Sequence, residues 1–163
     1  MSIRVSTAGM ALMYAVEETA GTRPTSGYTK VPEVKSIPSF NPSPSTIDST
    51  TLEETEYTTS VPALKDIGSS PLEFGANLTD DLDTAWETLI SAFNTATAAN
   101  KAVWFCIVHP KLAKATYFTG EPSPIGINEA SVGAMAETTL YITPSSAPVR
   151  AAKPTDTQTV LGG

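Results

Sequence analysis

The chain has 163 residues, 40% of them hydrophobic, which is enough for one core of ordinary size but cramped for two independent domains. Ten basic residues against 17 acidic ones give a formal net charge of -7, which disfavours tight electrostatic binding to nucleic acid or to an anionic membrane surface. A single cysteine excludes an intrachain disulfide framework. Because no apolar stretch approaches the roughly 20 residues that span a bilayer and no signal sequence is recognisable, we expect an unprocessed soluble protein.

Two strands are predicted near the N-terminus. Residues 10–16 are apolar throughout, and the nearby Gly21 and Pro24 favour a strand over a helix. Residues 31–37 alternate imperfectly between apolar and polar side chains. Pro32 suits the start of a strand or an edge position, so we predict a strand of that kind here.

A long connection occupies residues 38–70. It is rich in proline and hydroxyl side chains, and possible short strands lie at residues 46–52 and 57–61. A connection of this length inside a compact domain is usually functional or disordered. Its Thr, Val, Ile and Tyr content favours an extended hairpin-like arm, which is our first candidate interaction element.

A strand and the single convincing helix follow. Residues 71–78 alternate apolar and polar side chains, the cleanest pattern of a half-buried strand in the chain. Thr79 or Asp80 is predicted to cap a helix that stops near Asn100. Its apolar face has helical spacing and consists of Leu82, Ala85, Trp86, Leu89, Ile90 and Phe93.

The remaining strands complete the predicted fold. Residues 102–108 form a continuous apolar run, which is typical of a central strand covered on both faces. Shorter strands are predicted at residues 114–119, 125–128 and 136–143, and the residues after Pro144 are predicted to be a tail. These elements indicate a mainly β fold, a β-sandwich or partly open barrel with one flanking α-helix. We predict one domain over residues 1–149 with an N-terminal arm at 1–9, and a C-terminal tail at 150–163.

The sequence offers no constellation for catalysis. Cys106 and His109 lie three apart on a predicted strand, so their side chains should point to opposite faces; we interpret them as a buried small side chain and a turn residue. Neither a Gly-x-Ser-x-Gly elbow nor a Gly-rich phosphate loop is present. The cluster of Asp80, Asp81 and Asp83 fits stabilisation of a helix N-terminus better than a calcium loop. We therefore expect no enzymatic activity, no metal and no cofactor.

Four short segments occur in a distinctive order: Lys-Val-Pro-Glu-Val at 30–34, Ile-Asp-Ser-Thr-Thr-Leu at 47–52, Pro-Ala-Leu-Lys-Asp-Ile-Gly at 62–68 and Leu-Glu-Phe at 72–74. A helix, an apolar strand, a hairpin and a Thr-rich strand are predicted to follow. This order resembles that of the major tail tube proteins of long-tailed, siphovirus-type bacteriophages, roughly over residues 5–144. The resemblance depends on the combination of segments, since no single motif is diagnostic.

The resemblance implies a β-sandwich subunit that forms hexameric rings, which stack into a tube through which the phage genome passes. It implies tape measure, tail terminator and baseplate or tail-tip proteins as partners, and a location in the virion tail after assembly in the host cytoplasm. No membrane partner is expected. An acidic protein suits such a conduit, because a lumen of like charge repels phosphate and DNA passes without tight binding. The inner tube of a contractile tail or secretion device shares this fold and is not separated from it by sequence.

Two sets of side chains in the long connection are candidate functional residues. The apolar set, predicted to contact neighbouring subunits or rings, consists of Phe40, Leu52, Tyr57 and Leu64. The acidic set, predicted to face the lumen, consists of Glu53, Glu54 and Glu56. The alternatives are that the apolar side chains pack on their own domain and that the carboxylates belong to a solvated arm. The alternative function is a monomeric β-sandwich binding module, such as a capsid decoration or carbohydrate-recognition domain, which predicts an exposed aromatic cluster.

Overall fold

The computed structural model describes residues 9–41, 46–53, 56–62 and 71–155. Within these residues the fold is mainly β, with one helix. The elements are β1 (Ala11–Val16), β2 (Thr29–Lys30), β3 (Val34–Ser36), β4 (Thr46–Asp48), β5 (Ser60–Pro62), β6 (Leu72–Asn77), α1 (Asp80–Ala98), β7 (Val103–Val108), β8 (Lys114–Pro122), β9 (Glu137–Pro144) and β10 (Val149–Ala152). No helix in the described residues has both the length and the apolar character needed to cross a membrane.

Eight strands form one antiparallel sheet in the order β2-β1-β7-β8-β9-β6-β3, and β10 pairs with β8 beside this path. Strand β8 changes partner along its length: residues 116–119 pair with β7, and residues 120–122 pair with β9. Gly120 lies at this change, where a Cβ atom would come within 2.8 Å of Ile142 Cγ2 and 2.9 Å of the Thr143 carbonyl oxygen. Glycine permits this close approach of the two backbones, and the sheet curls into a half-barrel.

The helix begins and ends as the sequence predicts. The Thr79 hydroxyl caps the N-terminus by accepting a hydrogen bond from the Leu82 N–H at 3.2 Å. At the other end Asn100 has a φ of 60°, and the Lys101 N–H donates to the Ala96 carbonyl at 2.8 Å. A residue in the left-handed region followed by this bond is a Schellman motif, which satisfies carbonyls at the end of the helix.

The main core lies between α1 and the curled sheet. Trp86 is its largest fully buried side chain, and its indole N–H donates to the Ser123 carbonyl at 2.7 Å. Phe105 and Phe118 stack beneath the helix with ring centroids 5.5 Å apart. Burial of side chains of this size contributes most of the stability of such a core.

A second core covers the opposite face of β1 and β7. It includes the fully buried Met13 and Cys106, together with Tyr117 from β8. Tyr28 also belongs to this core, and its ring packs edge-to-face against that of Tyr117 with centroids 5.8 Å apart. Because both faces of β7 are buried, its sequence is a continuous apolar run, as predicted.

A buried carboxylate joins the ends of β1 and β7. Glu17 is 5% exposed and accepts hydrogen bonds from the Ala102 N–H at 2.7 Å, the Trp104 indole at 3.0 Å and the Gly21 N–H at 3.3 Å. Burial alone would raise the pKa of Glu17, but these hydrogen bonds and the charge of Lys101 outweigh it and lower the pKa. The carboxylate is therefore held in its charged form.

The prediction of a strand at residues 125–128 is wrong. The segment runs beside β9, but its backbone bonds are isolated ones, such as Ser123 N–H to the Tyr141 carbonyl at 2.9 Å and Asn128 N–H to the Glu137 carbonyl at 3.3 Å. Pro124 has no N–H to donate, which interrupts a regular ladder. The chain covers the edge of β9 without forming a strand.

The prediction of a tail directly after Pro144 is also wrong for residues 149–152. These residues form β10, which pairs antiparallel with β8 in the register Val149 with Tyr117 through Ala152 with Lys114. The partly buried Ala151 packs against the second core. The rest of the predicted tail, from residue 156, and residues 1–8 of the predicted N-terminal arm lie outside the described residues.

The strand predicted at residues 31–37 is shorter than expected. Glu33 has a φ of 63°, which breaks extended pairing, so β2 ends at Lys30 and β3 begins at Val34. Strand β3 pairs with β6 alone among the described strands and is an edge strand, the position that Pro32 suggested. In contrast, β8 is longer than predicted because its last three residues, 120–122, continue past β7 to pair with β9.

Candidate assembly surfaces

Residues 46–53 and 56–62 form the two sides of a hairpin whose strands do not pair with the sheet; these residues are called the arm below. Strands β4 and β5 pair only with each other among the described strands, and every residue in them is exposed. Beyond the two strands, further hydrogen bonds join the sides of the hairpin. The Thr59 N–H donates to the Thr50 hydroxyl at 2.7 Å, and the Ser49 N–H donates to the Thr59 carbonyl at 2.9 Å. Within the described residues the predicted hairpin is confirmed, with strands shorter than those predicted at residues 46–52 and 57–61.

The arm exposes four large apolar side chains: Ile47 at 59%, Leu52 at 104%, Tyr57 at 76% and Val61 at 45%. Such a concentration on a small element is typical of an interaction site, since single exposed apolar residues are common but groups are not. Leu52 and Tyr57 belong to the predicted set. Their contact with a neighbouring subunit stays a prediction, and Ile47 and Val61 join them although the sequence placed them only in short strands.

The other two apolar candidates have different positions. Phe40 is partly buried and packs on the main core, edge-to-face against Phe118 with centroids 5.2 Å apart. Phe40 therefore packs on its own domain, which was the alternative to a contact with a neighbouring subunit. This packing holds the chain against the core close to where the arm begins. Leu64 lies outside the described residues.

The arm is also acidic. Glu53 and Glu56 are exposed, Glu54 lies outside the described residues, and Asp48 is exposed on β4. Hydrogen bonds from the hydroxyl and N–H of Thr50 lower the pKa of Asp48. The sequence has no basic residue between Lys35 and Lys65, so the arm carries only negative charge. That its glutamates face a lumen stays a prediction.

A basic surface lies along β10 and the turn between β7 and β8. It was not predicted from the sequence. We call it the basic edge, and it consists of Lys111, Lys114, Arg150 and Lys153. The Arg150 guanidinium donates to the Thr116 hydroxyl at 3.1 Å, and the Lys153 ammonium donates to the Pro110 carbonyl at 2.9 Å. No acidic residue occurs within residues 103–120 or 138–155. The four cations come from two segments, residues 111–114 and 150–153, which the pairing of β10 with β8 brings together.

A second apolar surface lies on the connection between β8 and β9, where Ile127 is 78%, Val132 106% and Met135 73% exposed. The antiparallel register of β6 and β9 places Asn77 beside Glu137 and Leu72 beside Ile142. The connection enters β9 at Glu137, so this apolar surface adjoins the Asn77 end of the strand pair.

Cys106 and His109, the two residues considered for catalysis, are both buried. Burial raises the pKa of the Cys106 thiol to about 12, although a hydrogen bond with Tyr117 and the charge of Arg23 oppose it. His109 is buried at the turn after β7, where its Nδ1 accepts a hydrogen bond from the Lys111 N–H at 3.0 Å. In the described part of the chain no three His, Cys, Asp or Glu residues are grouped as metal ligands would be.

Two solved structures share this fold. A chain in the cryo-EM structure of the anti-feeding prophage baseplate, sixfold symmetrised, aligns with a TM-score of 0.62 and 7% sequence identity, covering 93% of this chain and 98% of that one. A chain in the cryo-EM structure of the anti-feeding prophage cap, which terminates the tube, aligns with a TM-score of 0.57 and 9% identity, covering 93% of each chain. No protein-family model and no curated protein matches the sequence.

The TM-scores show a common fold despite the low sequence identity, and the coverage shows that the fold extends over nearly the whole of both chains. The neighbours belong to phage-tail-like assemblies, so the predicted resemblance to tail proteins is supported at the level of the fold. The narrower resemblance to a siphovirus-type major tail tube protein stays a prediction.

Proposed function

We propose that this chain is a structural subunit of a phage tail or tail-like assembly. The observation that carries the proposal is the shared fold with a chain of the prophage baseplate, which includes 93% of this chain. The exposed apolar arm supports it, because a monomer gains nothing from leaving Leu52 and Tyr57 in water. We further propose that the role is structural, without an active site, metal or cofactor.

The specific role that we propose is that of a tube subunit, which forms hexameric rings that stack into a conduit for the genome. Two separate exposed apolar surfaces, on the arm and on the connection between β8 and β9, suit head-to-tail contacts, which continue from one ring to the next. The edge strands β2, β3 and β10 suit pairing between neighbours within a ring, since unpaired edges are a liability in a lone subunit. A net charge of -7 suits a conduit that does not retain DNA.

This role carries with it the partners and location that the sequence resemblance implies. The rings would contact a tape measure protein inside, a tail terminator at one end and baseplate or tail-tip proteins at the other. The subunit would be soluble in the host cytoplasm before assembly and part of the virion tail afterwards.

A ring-forming completion protein, located at the baseplate or at the tube terminus, is the second candidate. The two neighbours favour it, because one comes from a baseplate structure and the other from a tube-terminating cap. Such a protein differs from a tube subunit in one measurable respect: its rings do not stack indefinitely.

A monomeric binding module is a weaker candidate. It predicts an exposed aromatic cluster on one face. Among the described residues, the large exposed aromatics are Tyr57 on the arm and Tyr141 on β9, on separate elements. They do not form a binding platform of the kind that sugar-recognition domains present.

Electron microscopy of the purified chain, with sedimentation velocity, tests the proposal. Stacked rings identify a tube subunit, and single rings of fixed size identify a completion protein. Subunit interfaces above about 1,000 Å² are expected in either assembly. Monomers alone at every concentration and temperature, including after addition of tail-tip proteins from the same genome, would contradict both candidates.

A further inference from the structure

We propose that the arm of one copy binds the basic edge of a second copy of this chain. The inference rests on the proposed function, because it requires self-association, and it names the surface that receives the arm. It concerns the described arm residues and the four cations Lys111, Lys114, Arg150 and Lys153.

Charge is the first argument. The arm presents Asp48, Glu53 and Glu56, with no basic residue between Lys35 and Lys65. The basic edge has no acidic residue within residues 103–120 or 138–155. Four of the ten basic residues of the chain lie in these two segments, and the acidic residue nearest to them in sequence is Asp156, three residues after Lys153. Complementary surfaces of this kind steer association and fix its register.

The open backbone edges are the second argument. Strand β10 pairs with β8 on one side, and no other described strand pairs with it. The hairpin strands β4 and β5 likewise pair only with each other among the described strands. A hairpin strand that adds to the free edge of β10 would satisfy backbone groups on both elements, which is the geometry of strand addition. Both exposed edges would then be covered by the same contact.

Apolar contact is the third argument. Val149, at the start of β10, is 45% exposed beside the basic edge. On the arm, Ile47 and Val61 occupy opposite positions in the β4–β5 register and are also exposed. The two surfaces therefore have opposite charge, and each has exposed β-branched side chains and a strand edge that no other described strand pairs with. A nucleic acid offers only the first of these to the basic edge, which is why we favour a second copy.

In this contact the arm glutamates bind the basic edge of a second copy and do not face the lumen. The two assignments differ in their consequence for assembly. A lumen-facing carboxylate makes no contact between subunits, so reversing its charge leaves association unchanged. A carboxylate paired with the basic edge does contribute, and reversing its charge places two like charges together.

Charge reversal in full-length chains tests the contact. The test variants are Arg150→Glu and Glu56→Arg. The controls are Arg150→Lys, which keeps the positive charge of the basic edge, and Glu87→Arg, which reverses an exposed charge on α1 outside the proposed contact. Self-association is measured by sedimentation velocity at low and high salt and by electron microscopy. Thermal unfolding of the monomers verifies that all four variants are folded.

Each test variant alone is expected to weaken self-association by at least about tenfold at low salt, because like charges at a specific contact disfavour it strongly. An equimolar mixture of the two is expected to recover association to within about twofold of the wild type, since in an assembly in which the two variants alternate each arm meets an edge of opposite charge. Recovery on mixing also shows that the contact joins two copies. The controls are expected to behave as the wild type.

The amides of Val149–Ala152 provide an independent measurement. Their hydrogen exchange is expected to slow on assembly if a strand adds to β10. Four results would overturn the inference: test variants that assemble as the wild type does, controls that weaken equally, a mixture that does not recover, or unchanged exchange in β10. Loss of duplex DNA retention by Arg150→Glu with normal assembly would show a nucleic-acid surface instead. If the wild type itself never associates, the proposed function fails, whereas assembly that ignores these charges removes only this inference.

Discussion

The curled sheet and the arm are built from similar residue types but are stabilised in different ways. In β1 five of six residues are buried, and the strand is covered on both faces. In β4 and β5 every residue is exposed, and the hairpin depends on its own hydrogen bonds. Isolated two-stranded hairpins are marginally stable in water. The comparison indicates that the sheet is stabilised by burial within one chain, whereas the arm leaves its apolar side chains exposed, and we propose that a second molecule buries them.

The largest expected effect is on the sheet side of this comparison. Trp86→Ala removes a side chain that is 1% exposed and its 2.7 Å hydrogen bond to Ser123, so we expect the free energy of unfolding to fall by about 3–5 kcal/mol. Urea denaturation of the monomer measures it. Trp86→Phe is the matched control, since it keeps most of the apolar volume and loses the hydrogen bond, and it should cost less. Equal losses would show that packing against the helix is not what stabilises the core.

The curl of the sheet is tested at Gly120. A methyl group there meets Ile142 Cγ2 at 2.8 Å and the backbone oxygen of Thr143 at 2.9 Å, and the backbone atom cannot move aside cheaply. Gly120→Ala should therefore cost about 1–3 kcal/mol of unfolding free energy. Gly126→Ala is the control, because a Cβ there has nothing within 4 Å. A neutral Gly120→Ala would show that the half-barrel does not depend on this close approach.

The buried carboxylate Glu17 predicts a pH dependence. Its folded pKa is lowered, so its contribution is present above its unfolded pKa of about 4.3 and is lost as the pH falls through the folded value. Glu17→Gln should cost about 1–3 kcal/mol at pH 7, because the amide group opposes the Trp104 indole N–H. Urea unfolding at pH 7 and at low pH should show a smaller acid loss in the variant. The exposed neighbour variant Glu18→Gln should follow the wild type, and equal pH dependence in both variants would contradict the assignment.

The smallest effect on stability is expected in the arm. Leu52→Ser and Tyr57→Ser remove side chains that are 104% and 76% exposed, so the monomer's unfolding free energy should change by no more than about 0.5 kcal/mol. Self-association should nevertheless decrease in both. Thr88→Ser, an exposed change on α1, is the control for both measurements. A loss of monomer stability would show that these side chains pack on their own domain, as Phe40 does.

Local signals made much of the fold predictable. The Thr79 cap, the apolar spacing of the helix and Asn100 at its end are short-range features, and the structure confirms all three. The burial of β7 on both faces followed from its continuous apolar run. The arm was found because its length and its threonines are not typical of a turn.

What the sequence did not reveal depends on long-range pairing. Strand β10 has four residues and no clear alternation, and it is a strand because β8 offers it an edge. The basic edge was missed for the same reason, since its cations are contributed by segments about 40 residues apart and become neighbours only through that pairing. The partner change at Gly120 and the carboxylate bonds of Glu17 likewise join residues that no local pattern connects.

Hydrogen exchange of the wild-type chain, free and assembled, tests the central claim most directly. In the free chain the amides of β1 and β7 should be protected and those of the arm should exchange quickly, because the arm is exposed throughout its described strands. On assembly the arm amides should slow by at least about tenfold while those of β1 and β7 stay unchanged. An arm that is already protected in the free chain, or that still exchanges quickly in the assembly, would contradict the account.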